Sequence, residues 1–163
     1  MRMRRTQRLI LRHAEDSDAA FIVALLTDPD FIKYIGDRGV KDEASARGYI
    51  GKLRDTYASK GFGLYIVTRD STPIGLCGLV VRDTLPHPDI GFAFLPAARG
   101  HGYAKEAALD TLAEADALKL EVLLAICSQD NAPSRKLLES IGFAFQGLTK
   151  LKGSDEELCL YRR

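Results

Sequence analysis

The chain has no tryptophan and only three histidines in 163 residues. His13, His87 and His101 lie far apart and no HExxH pair occurs, which argues against a catalytic metal. The three cysteines, Cys77, Cys127 and Cys159, are also scattered. None stands in a CxxC pair, so neither a disulfide framework nor a zinc site is indicated. The net charge is only +1, which argues against nucleic acid as the main partner, because phosphate binding shows as a basic excess. After the basic start "MRMRRTQR" the only apolar run is "LIL". That is too short for a signal-peptide core, and no run reaches membrane-spanning length, so no membrane partner and a cytoplasmic location are expected. No linker, repeat or low-complexity segment divides the sequence, and residues 1–163 read as a single domain.

What is present is ordinary globular material, with 46% apolar and 28% charged residues. "RLILR" (8–12) alternates and predicts a first strand. "EDSDAAFIVALLTD" predicts a helix with an acidic first turn and an apolar face of Phe21, Ile22, Leu25 and Leu26. Pro29, Gly36 and Gly39 then break the chain. A second helix starts behind Asp42, a good N-cap residue. "FGLYIVTR" and "IGLCGLVVR" flank the turn residues "DSTP" and predict a β-hairpin, followed by a strand at "DIGFAFLP". A helix at "EAALDTLAEADALK", a buried strand at "VLLAIC", a helix after Asn131 and Pro133, and two closing strands complete the pattern. The order β-α-α-β-β-β-α-β-α-β-β predicts an α/β (α+β) fold with a mixed, mostly antiparallel central sheet.

The stretch "FAFLPAARGHGYAKEAA" (92–108) carries the chemistry. A strand feeds a loop with Gly100 and Gly102, which opens a helix. A dinucleotide fingerprint G-x-G-x-x-G fails because its third glycine is Lys105, and no GxxxxGK[ST] loop exists. Backbone N–H groups from Arg99 to Lys105 still lead into a helix N-terminus, which suits a pyrophosphate. The plain alternative is a tight strand-to-helix connection.

Arg99, Gly102 and Ala104 form R-x-x-G-x-A, which resembles the acetyl-CoA pyrophosphate loop of the GNAT superfamily of N-acetyltransferases. "NAPSRKLLESIGF" (131–143) resembles the second cofactor segment of that family. "TQRLILRHAEDSDA" and "DIGF" are similar to segments of its RimJ/RimL-like branch. The resemblance implies the GNAT acyl-CoA N-acyltransferase fold, with helices on both faces of the sheet, and direct acetyl transfer from acetyl-CoA to an amine. From the scattered histidines and cysteines, no metal is expected beside it.

On that resemblance the expected cofactor-binding residues are Phe92, Ala93, Phe94, Leu95, Arg99, Gly100, His101, Gly102, Tyr103, Ala104, Lys105, Asn131, Ser134 and Lys136. The pantetheine arm is expected along the backbone of Ala93 to Leu95, with an oxyanion donor at the Phe94 or Leu95 amide. Asn131 reads equally as a helix cap or a pantetheine contact. Asp89 is the expected general base, with His87 as second choice; the alternative for Asp89 is a strand-edge carboxylate. Tyr34 is expected on the acceptor side. Cys127 offers an acyl-cysteine route or, more simply, a small buried residue. Two departures stand out. Leu138 occupies the position where many members carry a tyrosine acid, and Phe92 and Phe94 stand where tryptophan is common.

Three functions follow from the resemblance. The first acceptor is a protein or peptide N-terminal α-amine. The second is a small-molecule amine such as an amino acid, polyamine or antibiotic. The third reading is a non-catalytic acyl-CoA-binding regulator. A homodimer is left open, through the hairpin strands or the final strand.

Overall fold

The structure is a computed structural model that describes residues 3–163. Strands β1 (Arg4–Arg5) and β2 (Ile10–Arg12) come first, then helices α1 (Ala19–Leu26), α2 (Pro29–Tyr34) and α3 (Glu43–Lys60). Strands β3 (Leu64–Arg69), β4 (Thr72–Val80) and β5 (Asp89–Phe94) follow. Helix α4 (Tyr103–Ala117), strand β6 (Leu124–Ser128), helix α5 (Ala132–Ser140) and strands β7 (Ala144–Thr149) and β8 (Leu158–Arg162) complete the chain.

The sequence sets most boundaries through caps. Asp42 accepts from the Ser45 amide at 2.8 Å and starts α3, while Gly61, at φ 79°, ends it in the left-handed region. Asn131 caps α5 through the Ser134 amide at 3.3 Å. Several boundaries differ from expectation: β1 was not expected, β4 begins at Thr72 inside the expected turn, and α2 was read as a break. Pro29 was expected to break the chain, yet it is the first residue of α2. Proline has no N–H to lose at that position, and Asp28 caps the turn by accepting from Phe31.

Eight strands form one sheet in the order β1-β2-β3-β4-β5-β6-β8-β7. All pairs are antiparallel except β5 with β6. The edges are therefore β1 and β7. The β3–β4 hairpin and the final strand, expected as open edges for a dimer, each have a neighbour on both sides. The sequence shows where a strand is, but strand order depends on partners far along the chain.

Helix α4 lies on the face carrying Cys77, whose Sγ is 3.4 Å from Thr111 Oγ1. Leu79, Ile90, Ala108, Leu112 and Leu138 share a buried cluster on that side. Leu76 and Ile66 join Ile22, Leu25, Ile50 and Leu53 of α1 and α3 in a second cluster. Successive strand residues point to opposite faces, so the two layers sandwich the sheet. Among the described residues no helix is long and apolar enough to cross a membrane.

Candidate active site

Strand β5 holds its two neighbours in different ways. With β4 it forms six paired positions, from Val80–Asp89 to Gly75–Phe94. With β6 it forms one, Asp89–Leu124, where the Leu124 amide donates to the Pro88 carbonyl at 3.0 Å. Beyond that point the parallel strands part and leave a gap. The Leu95 amide donates to the Ile74 carbonyl at 2.9 Å, so Leu95 and, two residues back, Ala93 turn their polar backbone toward β4. The amides of Phe92 and Phe94 consequently face the gap. This corrects the expected donors. Leu95 is already used, Ala93 faces β4, and Phe92, whose amide was not expected as a donor, joins Phe94.

The loop after β5 offers a second set of donors. Gly100 and Gly102 have φ of 77° and 80°, a region glycine enters without strain. The first helical bond of α4 runs from Glu106 to Gly102. Helices α2, α3 and α5 each have a side-chain cap, whereas the N-cap of α4 is Gly102 and has none. Among the described residues, no protein acceptor meets the amides of Gly100 to Lys105. Free amides at the positive end of a 15-residue helix suit a diphosphate. Ala104 is small and half-buried behind them, and Lys105 is exposed.

Some expected cofactor residues point elsewhere. The Tyr103 ring is buried, with the guanidinium carbons of Arg8 and Arg69 at 4.6 and 5.2 Å from its centroid. Only its backbone is available to the loop. The exposed His101 leans on that ring, and its carbonyl accepts from Arg8 at 3.0 Å. Asn131 acts as a helix cap through its Oδ1, one of its two readings. Ser134 is half-buried at the start of α5 and Lys136 is exposed on it. Arg99 turns away from the loop toward Asp28 and Asp30.

On the other face of the sheet Asp89 is fully buried at the closed end of the gap. Arg82 holds it through Nε, at 3.0 Å from Oδ1 and 3.3 Å from Oδ2. Burial pushes the carboxyl up to about 6, and Arg82 acts in the opposite direction. The sequence reading missed Arg82. The hairpin geometry was its signal, since Val80 pairs with Asp89 and position 82 lies just beyond. Burial also raises the Tyr49 hydroxyl of α3 above the ordinary tyrosine range, against the pull of Arg38 and Arg82. His87 is exposed in the loop before Asp89.

At the open end of the gap, Tyr34 closes α2. Its carbonyl accepts from Ser128 Oγ at 3.3 Å, and Glu156 Oε2 lies 3.1 Å from the same hydroxyl. Ser128 and Glu156 carried no motif and went unnoticed in the sequence. Cys127 is buried opposite Cys159, and burial pushes its thiol up to about 12. A thiol held protonated is a poor nucleophile, so the acyl-cysteine route finds no support. Leu138 is a core residue.

A sheet that opens beside a strand, with free strand amides on one side and an uncapped helix on the other, suits a group-transfer enzyme that holds an extended, phosphate-bearing donor. The family model described as "Acetyltransferase (GNAT) domain" matches residues 8–144, and the chain belongs to this acetyltransferase family. It is similar to "Uncharacterized N-acetyltransferase YnaD" of Bacillus subtilis, 30% identical over 149 residues, covering 89% of this chain and 84% of the relative. An acetyltransferase from Agrobacterium tumefaciens has a similar structure, with a TM-score of 0.85 and 26% identity over 100% of this chain and 94% of that one. The ribosomal L7/L12 alpha-N-protein acetyltransferase RimL, in complex with coenzyme A, shares the fold at a TM-score of 0.72 and 16% identity, over 99% and 97% of the two chains. The protein is thus an N-acetyltransferase of GNAT type, an acyltransferase enzyme.

Proposed function

We propose that the acceptor is a protein or peptide N-terminal α-amine. One observation carries this reading: Asp89, the buried carboxyl at the closed end of the gap, is pushed up to about 6 by burial and is already paired with Arg82. Such a base is weak. An α-amine has a pKa of about 7.7–8.0, so roughly a tenth is neutral near pH 7 without help; a lysine, at about 10.4, has under a thousandth. The site suits the acceptor that needs least from its base. Ile32 and Ile35, exposed on and beside α2, add an apolar rim for the first side chain of a peptide. RimL, a protein of the same fold, is an alpha-N-protein acetyltransferase by name.

In this reading acetyl-CoA supplies the acetyl group as a thioester. The amides of Gly100 to Lys105 would hold its diphosphate. The amides of Phe92 and Phe94 would donate to the acetyl oxygen, where negative charge grows during attack. Asp89, oriented by Arg82, accepts the proton leaving the amine, through water. A coenzyme thiolate resembles a cysteine thiolate, with a pKa of about 8.5, and leaves without an acid in the place of Leu138.

Thiol release from acetyl-CoA tests the reading against a panel of amines. Peptides with a free N-terminal alanine or serine should turn over, and the same peptides blocked at the N-terminus but carrying lysine should not. Turnover confined to polyamines, free amino acids or aminoglycosides would assign a small-molecule acceptor instead. Thermal stabilisation by acetyl-CoA with no turnover on any amine would assign an acyl-CoA-binding regulator.

A further inference from the structure

Arg99 opens the R-x-x-G-x-A pattern, and its charge and place predict a phosphate contact. Its side chain is engaged elsewhere. Nε donates to the Phe94 carbonyl at 3.1 Å, Nη1 to Asp30 at 2.6 Å and Nη2 to Asp28 at 2.9 Å. A guanidinium presents its donors in a rigid fork, so holding these three partners fixes its direction. Two carboxylates also neutralise its charge. Asp28 is largely buried, with 11% of its side chain exposed, and losing Arg99 would leave that carboxylate without its cation.

The partners reveal what Arg99 connects. Asp28 and Asp30 sit at the N-terminus of α2, where negative charge is favoured. Helix α2 has six residues, too few to be stable alone, and only Phe31 of them is buried. Its last residue, Tyr34, is tied to Ser128 at the end of β6. Its first turn is tied by Arg99 to Phe94 at the end of β5. The two ties end on the two strands that part to form the gap. Phe94 serves both sides, with its carbonyl on Arg99 and its amide turned into the gap.

We propose that Arg99 is a positioning residue for the acceptor and not a ligand of the cofactor's phosphates: it fastens α2, the acceptor wall, to the end of β5. The diphosphate is left to the loop amides. The inference rests on the acceptor approaching past α2, as in the reading above, but its test does not require an acceptor.

The variants are Arg99→Lys, Asp30→Asn and Asp28→Asn. Asparagine at 28 keeps the cap on α2 and removes only the charge. Asp30 is the most exposed partner, with 55% of its side chain accessible, so its variant folds even if another does not. Calorimetric titration with acetyl-CoA and hydrogen exchange over residues 29–36 are measured on the full chain. All three variants should speed exchange in α2 by about tenfold, as local opening becomes easier. Acetyl-CoA affinity should stay within about threefold in each, under half of the 1.4 kcal/mol that a tenfold change represents. Where an N-terminal alanyl peptide turns over, Arg99→Lys should raise its KM about tenfold and leave the KM for acetyl-CoA in place. A tenfold or greater loss of acetyl-CoA affinity in Arg99→Lys, with α2 exchange unchanged, would overturn the proposal and return Arg99 to the phosphates. Unchanged α2 exchange in all three variants would overturn it as well. Absence of turnover on any amine would bear on the acceptor assignment alone.

Discussion

The two sides of β5 differ in what their backbone is for. Toward β4 every polar group is spent on a neighbour, and the approach is so close that side chains are excluded. A Cβ placed on Gly75 would lie 2.7 Å from the Ala93 carbonyl oxygen of β5. Toward β6 the ladder stops after Asp89–Leu124 and leaves the Phe92 and Phe94 amides facing a gap. Buried backbone donors without partners are costly, so a fold keeps them where a ligand supplies the acceptor. The closed side makes the strand rigid, and the open side uses that rigidity to aim donors.

The largest effect should come from the closed side. Gly75→Ala forces a methyl group against the Ala93 carbonyl and the Phe94 ring of β5 and should cost about 4 kcal/mol or abolish folding, as read by urea unfolding. A variant that folds with wild-type stability would show that the β4–β5 contact is looser than described. On the open side, Asp89→Asn should lower kcat/KM about a hundredfold and remove an acid limb near about 6. A loss under about threefold would return Asp89 to a structural role. The same variant checks the linkage. A carboxyl whose folded pKa lies above the unfolded value of about 3.9 favours the folded state at low pH. That contribution disappears as pH rises from about 4 to about 6, so the wild type should gain stability over Asp89→Asn as pH falls through this window. Melting curves between those limits give the sign.

Smaller effects separate the loop from its cap. Gly102→Ala places a side chain at φ 80° and within 3.3 Å of Arg8 Nη2, which should cost about 1 kcal/mol and weaken acetyl-CoA about tenfold. Calorimetry reads both the loss and its recovery by wild-type glycine. Asn131→Ala should cost about 1 kcal/mol of stability through the lost cap, and Asn131→Asp should cost little. Cys127→Ala should leave kcat within about twofold, and the native thiol should resist iodoacetamide, because burial keeps it protonated.

The loop 99–105 was legible because its signals are local. Two glycines, a following helix and a fixed spacing lie within a few residues of one another, and backbone freedom is a property of each residue. The start of α5 was legible for the same reason. Asn131 looked like a cap or a cofactor contact, and only the Ser134 amide at 3.3 Å favoured the cap. Helix α2 was hidden because proline ends a helix in one position and begins it in another, and the deciding cap belongs to Asp28. The partners of Arg99 were not legible because they lie 71 and 69 residues earlier in the chain.

By itself the sequence determined most of the elements, the uncapped glycine start of α4 and the family these belong to, since periodicity, caps and glycine conformations act over a few residues. Tertiary structure alone decided that β8 inserts between β6 and β7, that β5 and β6 share a single pair, that Arg82 holds Asp89 and that Arg99 reaches Asp28 and Asp30. Those outcomes depend on which distant segments meet, and burial and partner geometry, not residue type, then assign each charged group its work.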